Sequence, residues 1–140
     1  MRRANGLACL TLALVLAACA ASPPAARCAG MRGDPAITVQ LLFGRSLRGG
    51  GKVGDVAWRD FLAAAVTPRF PDGLTVLDGY GQWRQRATGR VISEPSTVVE
   101  IVTEASPDTF QRLDAIRTEY KAQFVQDSVG LVVSEACASF

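Results

Sequence analysis

Four cysteines (Cys9, Cys19, Cys28 and Cys137) and no histidine set the limits on chemistry in this 140-residue chain. Without an imidazole neither a Ser-His-Asp nor a Cys-His arrangement can be assembled, and hydrolytic zinc lacks its usual ligands, although carboxylate-only metal sites stay open. Gly49-Gly50-Gly51-Lys52 has the look of a phosphate loop. Ser46, however, stands where the first glycine belongs, and Val53 follows the lysine in place of Ser or Thr, so the stretch reads as a surface loop. What remains is a set that could hold a ligand: Arg45, Gln82, Trp83, Arg84 and Glu94. A tryptophan amid guanidinium and carboxylate groups can grip a small anionic or planar ligand by stacking and bidentate hydrogen bonds. The competing reading is an Arg-Glu pair and a half-buried indole that close one end of the core. Neither reading requires a cofactor.

Arg2 and Arg3 precede an uncharged apolar run from Leu7 to Ala18 that is too short to span a bilayer, the pattern of a signal peptide over residues 1–18. Leu16-Ala17-Ala18-Cys19 resembles the lipobox of bacterial lipoproteins. That resemblance implies a diacylglycerol thioether on Cys19, cleavage before it and acylation of the new amino group; the rival is an ordinary secretory signal with Cys19 there by chance. Three acyl chains hold far more firmly than a single myristoyl group, so membrane anchoring through Cys19 is expected. Ala20, where retained lipoproteins of enteric bacteria carry aspartate, favours the outer membrane on its periplasmic side. Residues 19–35, rich in Ala, Pro, Ser and Gly, read as a tether, and residues 36–140 as a single domain.

Removal of Arg2 and Arg3 leaves 13 basic and 13 acidic residues, and this neutrality argues against nucleic acid as a partner. Cys28 and Cys137 are the cysteines left to the mature domain. In an oxidising compartment they are expected to form a disulfide; free thiols and a metal pair are the rivals, the second weakened by the lack of histidine.

The elements that must position these residues follow from periodicity. Ile37, Val39, Leu41 and Phe43 alternate as a first strand. Asp55 is a plausible N-cap for a helix whose stripe is Trp58, Phe61, Leu62, Ala65 and Val66, stopped by Pro68. Pro71-Asp72-Gly73 turns into a second strand, Leu74 to Trp83, in which Gly79 and Gly81 suggest a bulge or the close approach of another backbone. A polar turn at Gln85 to Gly89 makes a long hairpin into Val91 and Ile92, and Val98 to Glu104 is the next clear strand. Ser106, Pro107 and Asp108 open a second helix with a stripe of Phe110, Leu113, Ile116, Tyr120 and Phe124. Val129, Leu131 and Val133 form the last strand. This βαββαβ order predicts an α+β, ferredoxin-like sandwich: a four-stranded antiparallel sheet in the order 4-1-3-2 with both helices on one face. In that topology Cys28 and Cys137 become neighbours, and the five candidate ligand residues share one edge. Arg69 is expected to pair with Asp72.

The stretches Leu41 to Gly44, Val66 to Val76, Gly81 to Arg84, Glu94-Pro95-Ser96 and Ala136 to Phe140, together with Trp58, resemble the bacterial domain-of-unknown-function family 3574, a resemblance that implies no activity. The expected function is therefore a noncatalytic, lipid-anchored envelope module that binds a protein or small ligand. The alternative is a small dimeric ferredoxin-like enzyme for cofactor-free or haem-dependent oxidation, with haem needing Tyr80 or Tyr120 as its ligand. Either could dimerise through the open sheet face, on which Leu42, Leu77, Val98, Val102 and Val132 should lie.

Overall fold

The computed structural model describes residues 27–86 and 88–140, so the signal segment, Cys9, Cys19 and residues 20–26 of the proposed tether lie outside the described residues. The four strands are β1 (Asp34–Gly44), β2 (Thr75–Arg84), β3 (Val91–Thr103) and β4 (Gly130–Ala138). They form one antiparallel sheet in the order β2-β3-β1-β4, the expected ferredoxin-like arrangement. β1 reaches back to Asp34, which pairs with Ala138, so the fold begins earlier than the proposed tether boundary at residue 35. Cys28 and Cys137 are joined by a disulfide, Cα to Cα 5.4 Å, that links the start of the domain to its last strand.

The alternation in β1 places Ile37, Val39, Leu41 and Phe43 on the helix side, all buried, opposite Val99 and Ile101 of β3. The first helix, α1 (Asp55–Phe61), starts one residue earlier than expected: Gly54 rather than Asp55 is the N-cap, and Asp55 lends its carboxylate to Arg45. After Phe61 the helix widens into a π turn, Leu62–Val66, and ends in a 3-10 turn, Thr67–Arg69, with Pro68 inside it. Trp58, Phe61, Ala65 and Val66 are buried as their spacing requires.

The second helix, α2 (Pro107–Phe124), is capped by the Ser106 hydroxyl, which accepts from the Thr109 amide at 3.1 Å, and Pro107 occupies its first turn. Its buried stripe is Thr109, Leu113, Ile116 and Tyr120, with Phe124 partly buried. Phe110 is not part of it. At 100° per residue it lies about 80° from the stripe's centre, and it is exposed. Arg69 does not pair with Asp72 either: its guanidinium reaches Glu119 on α2 and the carbonyl of Ala65, because the 3-10 turn aims the side chain back along the helices.

Phe43, Trp58, Phe61, Tyr120 and Phe124 form an aromatic cluster with edge-on and tilted contacts; Phe43 and Tyr120, for example, have centroids 4.7 Å apart. Pro95 stands inside β3, where proline removes a ladder donor. The omission costs little at this position. In an antiparallel strand the N–H and C=O of a residue point the same way, and Pro95 faces the end of β1, where its carbonyl accepts from Arg45 N while the Arg45 carbonyl is already taken by Val53 N.

Candidate functional site

β2 and β3 run on past the end of β1 as a two-stranded arm. Gly44 pairs with Ser96, whereas the β2-β3 pairing continues to Arg84 and Val91. The five residues expected at this edge are all near it, but the sheet plane divides them. Gln82, Trp83 and Arg84 are consecutive on a strand and cannot share a face; the register puts Trp83 on the open face and its two neighbours on the helix side.

Arg45 belongs to the helix side and is 6% exposed. Its Nη2 donates to the Val53 carbonyl at 2.6 Å and to Asp55 Oδ1 at 2.8 Å, Nε donates to the same carbonyl at 3.2 Å, and the guanidinium lies 5.6 Å from the Trp58 ring. Asp78 stands 3.9 Å from Nη1 and accepts from Thr97 Oγ1 at 3.1 Å. The Arg45 hydrogen bond, with the Lys52 and Arg45 charges, holds the Asp55 carboxyl below its ordinary range. Arg45 thus closes the core as a structural residue, and its acidic partners are Asp55 and Asp78 rather than Glu94. Asp78 and Thr97 escaped sequence reading, because only the register of the hairpin shows that they face each other.

On the open face Trp83 Nε1 donates to Glu94 Oε1 at 2.8 Å, and Ser46 N donates to Glu94 Oε2 at 3.2 Å. The carboxylate lies over Gly44, where a Cβ would come within 2.8 Å of Oε1. Both Glu94 oxygens are engaged and Arg45 is committed elsewhere, so this pair offers no anion cradle. What it presents is the indole, 43% exposed. Gln82 donates to Ser93 Oγ at 3.2 Å, and Arg84 is exposed beside the arm's turn.

Neither tyrosine considered as a haem ligand serves the open face. Tyr120 is fully buried on the helix side, its hydroxyl donates to the Gly44 carbonyl at 2.9 Å, and burial pushes its pKa up to about 12. Tyr80 pairs with Pro95 and by register lies on the helix-side face of the arm. Among the described residues no group of three His, Cys, Asp or Glu could hold a metal ion, and no helix is long and apolar enough to cross a membrane.

Leu42, Leu77, Val98, Val102 and Val132 do line the open face, as alternation requires; Leu77 is 49% and Val132 44% exposed. Two clefts lie toward the other end of the sheet. One of about 520 Å³ sits beside the disulfide between Met31, Ile37, Glu104 and Glu135, and another of about 640 Å³ lies near Phe70, Arg112 and Phe140. Trp83 lines neither of them.

Comparison with known proteins agrees with the fold and assigns no activity. Residues 38–140 match the model of DUF3574, described as a protein of unknown function. No curated protein matches the chain. Among solved structures, a phage SAM lyase in complex with S-methyl-5'-thioadenosine is similar at 15% identity and a TM-score of 0.58, covering 74% of this chain and 90% of that one. A phage SAM lyase in its apo state gives 16% identity and a TM-score of 0.56, covering 77% of this chain and 88% of that one. CutA from Synechococcus elongatus gives 14% and 0.49, covering 75% and 80%. At such identities the likeness is one of fold.

Proposed function

We propose, from the premise that the chain belongs to the DUF3574 family of proteins of unknown function, that it is a noncatalytic, lipid-anchored module of the bacterial cell envelope that works by binding through the open face of its sheet. The observation that carries this reading is the one-sided architecture. Helices bury one face, while the other presents Leu42, Leu77 and Val132 to solvent, with Val98 half-buried among them, the hydrogen-bonded Gln40–Glu100 pair beside them and Trp83 beyond them on the arm. Apolar residues gathered on one face in this way mark an interaction surface rather than the ordinary scatter of exposed hydrophobic residues.

The anchor rests on the sequence, on Arg2, Arg3 and the Leu16 to Cys19 stretch, and the disulfide is in keeping with an oxidising compartment. Cys28 lies nine positions after Cys19, a coil reach of roughly 15–18 Å, so the domain works close to the membrane that holds it. An envelope protein, a second copy of the chain, or a planar ligand on Trp83 are the partners this surface admits. The small-enzyme alternative loses support at the level of side chains, since Tyr80 and Tyr120 are turned away from the open face and Glu94 is fully engaged.

Two measurements test the reading. Membrane fractionation of the wild type and of Cys19→Ser should find the first with membranes; an unchanged distribution for the variant would remove the lipid anchor. Native mass spectrometry of the exported domain, with S-methyl-5'-thioadenosine among the ligands offered, should show association without turnover. Release of a product from any offered substrate would overturn the noncatalytic assignment.

A further inference from the structure

Four glycines fall on the open face, and two of them are explained within the chain. The Glu94 carboxylate covers Gly44, and the Leu42 side chain lies on Gly130, where a Cβ would meet it at 3.0 Å. Gly79 and Gly81 differ from these. Both sit in unbroken register with β3, neither has a positive φ, and a Cβ at either would meet the Ser96 side chain only at ordinary contact distance, 3.4 and 3.5 Å. The expected bulge is absent from this described stretch. Glycine weakens a strand that a side-chain-bearing residue would strengthen, so two of them at i and i+2 on one face point to a close approach from outside the chain.

The register sets these glycines in a relief. Leu77, Val98 and Leu42 stand side by side across three strands as a ridge; in the next row Gly79 and Ser96 form a trough, which continues at Gly81, ends at Trp83 and is bounded toward β1 by the Glu94 carboxylate over Gly44. Ridge and trough are one row apart, about 7 Å along the strands. A twofold axis running across the strands between them sets the ridge of one copy into the trough of another, with Leu77 over Gly79. We propose that the occupant of the Gly79-Gly81 trough is this ridge of a second copy, so that the open faces of two chains form one isologous interface. The proposal rests on the open face being the working surface, as argued above, and deepens it by naming the partner and the fit.

An axis between these rows lays the arm of each copy on the sheet of the other, an overlap of roughly 10 by 20 Å on each side of the axis. That is roughly 400 Å² per partner, the low end of the interface range, where transient pairs sit. Without the arm nothing would lie on the far side of the axis, so the arm has a reason to project. An isolated two-stranded ribbon is marginal in water, and packing on a second copy supplies the surface it lacks. Aligned sheets cross at about 30°, which at the neighbouring row shifts Glu100 of one copy by about one strand spacing away from Glu94 of the other. The interface therefore avoids opposing those two carboxylates directly.

The test is native mass spectrometry and sedimentation of the full chain purified in mild detergent, for the wild type, Gly79→Val with Gly81→Val, Leu77→Lys, and Gln82→Val, which lies on the other face of the same strand. The wild type and Gln82→Val should be dimers of equal affinity, and the other two variants should dissociate about a hundredfold more readily or worse. At concentrations where all are monomeric, the valine variant should melt no lower than the wild type, because valine suits an exposed strand better than glycine. A valine variant that dimerises as tightly as the wild type while Leu77→Lys does not would overturn the trough and leave open-face association standing. A monomeric wild type, or dimers in all four, would overturn both. Earlier melting of the monomeric valine variant would show that the glycines serve the fold itself and would also overturn the proposal. So would a small molecule carried by wild-type monomer and lost from the valine variant.

Discussion

Replacement of Tyr120 by phenylalanine isolates one buried hydrogen bond. Its ring packs against Phe43, Trp58, Phe61 and Phe124 at centroid distances of 4.7 to 5.9 Å, and phenylalanine preserves all of that contact. The change removes the hydroxyl that donates at 2.9 Å to the carbonyl of Gly44, the last residue of β1. The lost bond is worth about 1 kcal/mol net, and the abandoned carbonyl adds part of a further ~1–3 kcal/mol of desolvation penalty, so a loss of about 1–2 kcal/mol is expected. For a domain near a hundred residues this lowers Tm by roughly 5–10 °C, read by thermal or denaturant unfolding at pH 8. The pH dependence gives a second reading. The folded pKa of Tyr120, pushed up to about 12, exceeds its unfolded value of 10.0, so the folded state holds the proton more tightly. That contribution is fully present below pH 10 and is lost as the pH rises through about 12. The wild-type advantage over Tyr120→Phe should therefore shrink across that window. A variant as stable as the wild type at pH 8, or a gap that stays constant from pH 8 to 12, would refute the reasoning.

Replacing Cys28 and Cys137 by alanine opens a connection spanning 109 residues and should cost up to about 4–5 kcal/mol, measured as a fall in the denaturant midpoint with a steeper slope, because the unlinked unfolded chain exposes more surface. Arg45→Met should cost about 2–3 kcal/mol by stranding the Val53 carbonyl. It should also change the acid limb: the Asp55 contribution, present above its unfolded pKa of 3.8 and lost as the pH falls through its lower folded value, should shrink to the part that the Lys52 and Arg59 charges supply. Gly44→Ala should destabilise by about 1–2 kcal/mol by displacing the Glu94 carboxylate, and should cost much less in a Glu94→Ala background, a non-additivity that unfolding of the double mutant will show.

Much of the architecture was legible in the residues because it rests on local signals that agree with one another. Alternation in Ile37 to Phe43, the Ser106-Pro107-Asp108 start and the two cysteines each constrain a different link, and together they allow few topologies. Side-chain destinations were harder to read. Gln82, Trp83 and Arg84 look like a cluster in sequence, yet a strand turns neighbours to opposite faces. Arg45 chose Asp55 and Asp78 over Glu94 because β1 ends with its odd-numbered side chains toward the helices. Phe110 was expected in the core on hydrophobicity, and the helical angle put it outside while admitting Thr109, whose hydroxyl accepts from Arg112 Nη2 and lies 3.1 Å from Ser106 Oγ. Arg69 found Glu119, a partner fifty residues away that no spacing rule reveals.

The disulfide also determines how the domain bears load. The chain enters at Cys28, and β1 and β4 begin and end at that same edge, while the arm projects from the opposite one. A pull on the N-terminal side passes through the disulfide and divides between the central strand and its neighbour, both aligned with the force. Strands drawn along their length must shear many rungs at once instead of unzipping one at a time. The paired cysteines thus turn the N-terminal end of the domain into a mechanical clamp, with the arm held out along the line of such a pull.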